Sequence, residues 1–293
     1  MNEQDTRMGN EKIGSLMLRL SLPTIIAQII NVLYNIVDRM YVGHIEEIGS
    51  IALTGLGVSA PLILIISAFS MFVGGGGAPL AAIALGKNDK EEAEKILGTG
   101  VVILTAISIL LTAIVFIFKE PLLYIFGASE VTYQYANEYT SIYLLGTIFV
   151  QFALGLNLFI TSQGQSKIAM FSVLIGAITN IILDPIFIFV FNMGVSGAAI
   201  ATVLSQALSA VFVVHFLCSK KSLIRIKKEY LRLDLDIALL RKVFLLIPLA
   251  LLLPRYFGVM GIFYSEPIAD IISATTSGFL LFFSMKHIKK VFK

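Results

Sequence analysis

The sequence predicts an all-α, polytopic membrane protein, and three observations predict it. Of its 293 residues 57% are hydrophobic and only 14% charged, against about 25% charged in an average soluble domain. The apolar residues gather in runs of about 20, the length that crosses a ~30 Å hydrocarbon core as a helix. Basic residues gather in alternate connections, which is how a polytopic chain sets its orientation.

Eight such runs follow one another. They are Leu16–Val42, Leu53–Leu85, Ile96–Phe118, Tyr139–Thr161, Ile168–Phe191, Ala198–Leu217, Val243–Phe263 and Ile268–Met285. The polar start MNEQDTRMGNEKIG lacks the basic opening and small-residue cleavage site of a secretory signal, so the first run is expected to remain as an anchor. The second contains Pro61, Gly74 to Gly77 and Pro79, which predicts a break or tilt near its end. The glycine run lies in no βα unit, so it reads as close helix contact and a flexible helix end rather than a phosphate loop.

Lys87, Lys90, Lys95, Lys167, the stretch Lys220 to Lys242 and the tail Lys286 to Lys293 mark one side. The opposite connections, 43–50 and 192–197, hold no Lys or Arg, while Lys119 and Arg255 are exceptions. Both termini are therefore expected in the cytoplasm of a chain in the cell (inner or plasma) membrane, which agrees with an even number of spans. The basic and apolar loop SKKSLIRIKKEYLRLDLD (219–236) suits the anionic inner leaflet better than nucleic acid, which is not an expected partner. The single Cys218 excludes an internal disulfide. SLMLRLSLP and LLRKVFLLIP each open a half after a charged stretch, a faint repeat of the kind common in transporters.

Catalytic patterns are missing. His44, His215 and His287 form no metal motif, no G-x-S-x-G elbow exists, and Asp184 is set between Leu and Pro rather than in the glycine-rich setting of an aspartyl protease. No enzyme activity, metal or cofactor is expected. What the spans carry instead is buried polarity. Asp184 lies mid-run and Asp38 near the end of the first run; an acid at a membrane centre disfavours insertion by about 2.5–3.5 kcal/mol. On a helical wheel Gln28, Asn31, Asn35 and Asp38 fall within roughly 80°, with Tyr34 one turn before Asp38. Asn180 and Asp184 share a face with Gly176, and Tyr139 and Asn157 stand about five whole turns apart. Thr202, Ser205, Gln206 and Ser209 form a fourth stripe. Four stripes of this kind converge on one interior cavity, because lipid is a poor solvent for them. A buried carboxyl there, with amides and hydroxyls able to satisfy either of its forms, can take a proton or a sodium ion from one side and release it on the other.

LSLPTIIAQIINVLYNIVDRMYVGHI, LGLNLFITSQGQSKIAM, ITNIILDPIFIFVFNMGVSGAAIATVLSQ and EPIADIIS resemble the multidrug and toxic compound extrusion (MATE) transporters. The D-x-x-y-V-G, Q-G and N-x-x-L-D-P patterns carry the likeness as a set. The resemblance implies an efflux antiporter exchanging organic, often cationic, compounds for H+ or Na+ by alternating access, with twelve helices in two six-helix lobes. The ion-coupling site would fall on Asp38, Asp184, Asn180, Asn157, Thr202, Tyr34 and Tyr139, and the substrate cavity would include Gln28, Asn31, Asn35 and Gln206. Small organic substrates, the coupling cation and the bilayer are the expected partners.

The match covers the first lobe, and then the chain departs from the family. The expected organisation is a cytoplasmic segment 1–12, a complete six-helix lobe 13–218, a basic cytoplasmic linker 219–242, and about two helices of an incomplete second lobe at 243–293. A junction between Lys242 and Pro248, with about 150 residues missing by the length prior, accounts for the difference. A homo-oligomer could then supply the opposing wall. The alternatives are a transport-inactive remnant, or a regulatory or half-transporter subunit. Below them stands a lipid-linked oligosaccharide flippase, which would call for cavity cations where only Arg19, Arg39 and Arg255 are available, all near span ends.

Overall fold

The computed structural model describes residues 13–232. By internal contacts the chain forms two units, 1–233 and 234–293. The expected spans Val243–Phe263 and Ile268–Met285, the segments 1–12 and 243–293, the junction at 242–248, and the side chains of Arg19 and Arg255 lie outside the described residues.

From residue 13 to residue 218 the described chain is built of helices joined by short connections. α1 is Ile13–Gly43, α2 Gly49–Gly86, α3 Lys90–Ile125, α4 Glu130–Leu145, α5 Thr147–Gln151, α6 Asn157–Ser162, α7 Ser166–Pro185 and α8 Gly194–Cys218. π-helical turns occupy Phe152–Leu156, between α5 and α6, and Ile186–Val190, after α7. Five helices are long and apolar enough to cross a membrane, and a sixth span results if the bent pair Glu130–Leu145 and Thr147–Ser162 counts as one. The chain is therefore a multi-pass membrane protein, with five or six candidate spans among the described residues where six were expected.

Local chemistry fixes the helix starts. Asp89 caps α3 by accepting from the Glu92 amide at 3.0 Å, and Glu91 and Glu92 complement the positive helix end. Ser129 and Thr132 form a reciprocal capping box at the start of α4.

Two expectations about helix shape are corrected. The second span was expected to break or tilt near its end; no break occurs, since α2 runs uninterrupted through Pro61 and Pro79. The close contact expected of the glycine run is made at Gly74, where a Cβ would stand 2.5 Å from the Gly155 carbonyl oxygen. The fourth span, expected as one helix Tyr139–Thr161, begins at Glu130 and bends by 64° at Gly146. There the missing Cβ admits Val203 of α8, whose Cγ2 would otherwise stand 2.6 Å away. The π-helical turn 152–156 then shifts the register again.

α1 packs chiefly on α7, α2 on α3 and α4, and α8 on α7 and α4. An apolar core that includes Val42, Leu56, Leu62, Leu123, Tyr139, Leu144, Ile188 and Ala198 sits at one end of the bundle, where α1, α2, α3, α4, α8 and the π-helical turn after α7 meet. The connections 87–89, 163–165 and 219–232 gather at the other end, called here the basic end. Leu22, Ile25, Ile29, Val32, Ile36 and Met40 leave α1 with an exposed apolar surface, as suits a helix that faces hydrocarbon.

Candidate functional site

α1 and α7 bring Asp38 and Asp184 together. Asp38 lies one turn before the end of α1, and Asp184 lies in the last turn of α7, ahead of Pro185 and the π-helical turn. The two carboxyl groups lie close enough to act on each other directly. Asp184 and Asn180 are fully buried and Asp38 is 8% exposed. Asn180 Nδ2 donates to Asp184 Oδ1 at 3.0 Å, a direct product of their i,i+4 spacing.

Oδ1 of Asp38 and Oδ2 of Asp184 are buried without a donor. Two carboxylates in contact at low dielectric do not both stay ionised unless a cation stands with them. The pair is thus chemically suited to one proton or one small cation. The Arg39 charge is close enough to act on Asp38, but the Arg39 side chain is exposed.

Tyrosines and α8 complete the surround. Tyr34, half-buried, is in contact with Asn35 and Gln206 and near both aspartates. Tyr139 is buried beside Asp38 and in contact with Thr202. Its ring stacks on Tyr143 at 6.2 Å between centroids. Thr202 is itself 9% exposed.

The remaining expected site residues stand elsewhere. Asn157 donates to the Ala169 carbonyl at 3.0 Å and to the Ser172 hydroxyl. Ser172 is three turns from Asp184, about 18 Å along the axis, so Asn157 ties α6 to α7 and is not beside the acid pair. The wheel that aligned Asn157 with Tyr139 assumed a straight helix, and the bend at Gly146 and the π-helical turn remove that premise. Asn35 Nδ2 donates to the Asn31 carbonyl at 2.7 Å and to its side-chain oxygen at 3.1 Å. Gln28 is exposed, about 15 Å along α1 from Asp38. In the α8 stripe, Ser205 donates to Thr202 O of its own helix at 2.7 Å, and Ser209 donates to Ser172 O at 2.9 Å, which ties α8 to α7.

Buried polar residues that the stripes did not single out include Gln151 and Ser70. Gln151 Nε2 donates to Ile66 O at 2.9 Å, and its Oε1 accepts from Ser70 at 2.9 Å. An amide inside the apolar run TIFVQFALGL was the available signal. Among the described residues no group of three His, Cys, Asp or Glu side chains is placed to hold a metal ion.

Comparison with known proteins agrees with this architecture. The family model MatE matches residues 23–186. The multidrug export protein MepA of Staphylococcus haemolyticus is 27% identical over 219 residues, 75% of this chain and 48% of that protein. The probable multidrug resistance protein YpnP of Bacillus subtilis is 25% identical over 221 residues, 75% of this chain and 49% of that protein. The chain thus spans about half the length of the curated relatives it matches. A crystal structure of MATE in the bent conformation superposes with a TM-score of 0.71 at 25% identity, covering 84% of this chain and 58% of that one. A MOP superfamily transporter from Pyrococcus furiosus, whose structure is described as having a binding pocket of reverse polarity that suggests a different function, gives a TM-score of 0.71 at 25% identity over 88% of this chain and 60% of that one.

Proposed function

The chain belongs to the MatE family, and from that premise we propose that it supplies the ion-coupling lobe of a secondary transporter that exports organic, often cationic, compounds in exchange for H+ or Na+. The observation that carries the reading is the close approach of two buried carboxyl groups, Asp38 and Asp184, within a membrane-spanning bundle.

A cation or proton taken up by the pair cancels the repulsion between two carboxylates, and its release restores it. Asp38 is on α1 and Asp184 on α7, so loading changes which packing of these two helices is of lower free energy. Asn180 holds Asp184 in place through its amide. Tyr34 and Tyr139 bring hydroxyls to the pair, and Thr202 and Gln206 connect those hydroxyls to α8. The organic substrate would lie on the polar side of α1, where Gln28, Asn31 and Asn35 reach the surface. The basic end faces the cytoplasm in this reading, as the distribution of Lys and Arg requires.

The test is reconstitution of the full chain in liposomes, with efflux of a fluorescent organic cation followed under an imposed proton or sodium gradient. Gradient-dependent efflux that Asp184→Asn abolishes is expected. Stable insertion with no gradient-dependent movement of any cationic dye would overturn the proposal for this chain.

A further inference from the structure

Residues 219–232, which follow α8, fold back over the basic end of the bundle. Ile224 is fully buried and Ser222 is 4% exposed. One side chain receives most of this segment: Gln163, in the turn between α6 and α7, is 2% exposed. Its Oε1 accepts from the Ser222 hydroxyl at 3.0 Å, the Leu223 amide at 2.8 Å and the Ile224 amide at 3.3 Å. Its Nε2 donates to Phe159 O at 3.0 Å, which fixes the amide's orientation on α6. The Ser222 proton is shared with the Ile224 carbonyl at 2.5 Å, and an acceptor oxygen that takes two backbone amides and that shared hydroxyl from one short segment is a receptor for the segment. No part of the acid-pair chemistry uses it, yet it is the glutamine of the Q-G pattern.

A second attachment lies on α3. Glu94 is 1% exposed, and its Oε2 meets Lys227 Nζ at 2.7 Å. Among the described residues the other cation near it is Lys90, 4.0 Å from Oε1. A carboxylate buried this deeply needs its partner, so Lys227 is held by more than a surface attraction. Beyond it, Thr99 Oγ1 donates to Arg232 O at 3.3 Å. Gly98 lets the chain pass so closely that a Cβ there would stand 2.3 Å from Tyr230 O. The Ile226 amide donates to Leu217 O at 3.1 Å, closing the segment onto α8.

We propose that residues 219–232 are a clasp, not a linker: Gln163 and Glu94 receive it, and it locks the basic ends of α3, α6 and α8 into one rigid body. Gln163 is its positioning residue. The clasp restrains one end of the lobe, while the acid pair lies toward the other. This inference does not depend on the transport reading.

Hydrogen exchange on the purified full chain in detergent, read by mass spectrometry, tests it. In the intact protein the amides of 223–226 exchange at least about tenfold more slowly than an unstructured segment, because local opening is disfavoured. Gln163→Leu removes the acceptor and raises exchange there by about tenfold. Glu94→Gln accelerates 227–232 and leaves 223–226 slow. Ser222→Ala removes the hydroxyl that serves Gln163 Oε1 and, at 2.5 Å, the Ile224 carbonyl, while leaving both backbone amides on Gln163, and gives a smaller acceleration confined to 222–226, so the outcome does not hang on Gln163→Leu folding. Rapid exchange across 223–226 in the intact protein, or no change in both Gln163→Leu and Ser222→Ala, overturns the clasp.

Discussion

Asn180 directs its side-chain amide at Asp184 from one turn away, 3.0 Å from Nδ2 to Oδ1, and both side chains are fully buried. Among the described residues Asn180 Oδ1 has no partner of its own, so the side chain's one hydrogen bond there is to the acid. Losing a donor to a buried carboxylate is worth about 1–3 kcal/mol. Asn180→Leu is therefore expected to weaken gradient-driven efflux by about tenfold or more, with a shift in the ion concentration that half-saturates transport. Equal efflux and an unchanged half-saturation in the variant would remove Asn180 from the coupling chemistry.

Gln151 makes the analogous test at a position with no expected role in coupling. Its amide joins α5 to α2 through Ile66 O and Ser70. Gln151→Leu leaves the Ile66 carbonyl and the Ser70 hydroxyl without this partner and is expected to destabilise the lobe by about 1–3 kcal/mol. Adding Ser70→Ala removes one orphaned group and recovers part of the loss. Thermal unfolding in detergent compares the three proteins. Additive losses in the double variant would show that the two side chains are not coupled.

Helical spacing made the acid pair's immediate frame legible. Asn180 and Asp184 follow i,i+4, and a membrane helix keeps that spacing because its backbone has no other hydrogen-bonding partner in lipid. The same rule misplaced Asn157, since a rule of constant rotation fails wherever rotation changes: at Gly146, whose missing side chain admits Val203, and at the π-helical turn 152–156. The attachment of 219–232 was hidden for a different reason. Its residues are basic and apolar in alternation, which suits a lipid surface as well as a protein one, and the deciding partners, Gln163 and Glu94, lie 59 and 133 residues away from Ser222 and Lys227.

The glycines of α2 separate by what lies beside them. At Gly74 a Cβ would press on the Gly155 carbonyl, whereas at Gly75 and Gly57 nothing lies within 4 Å. Gly74→Ala is expected to destabilise by about 1–3 kcal/mol because backbone must move. Gly75→Ala and Gly57→Ala face only the helix preference and are expected to be neutral or to stabilise by up to about 1 kcal/mol. Unfolding midpoints that fail to rank Gly74→Ala below the other two would contradict this packing.

Lys227 gives a pH dependence outside the membrane-spanning segments. The hydrogen bond to Glu94, first, and then the charges of Glu94, Tyr230 and Glu229 hold its proton more tightly than in a free lysine. A group whose value is raised by folding stabilises the folded state fully below its unfolded value, and that contribution is lost as pH rises through the folded value. The attachment of 227–232 is therefore complete at neutral pH and weakens only on the alkaline side of the ordinary lysine range. Glu94→Gln keeps the side-chain shape and removes the charge, so the Lys227 titration moves back toward that of a free lysine. Carbon-13 methylation of the lysines, followed by NMR titration of the intact and variant proteins, reads this directly. Superimposable Lys227 curves would mean that Glu94 does not hold the ammonium, and the clasp would then have to rest on Gln163 alone.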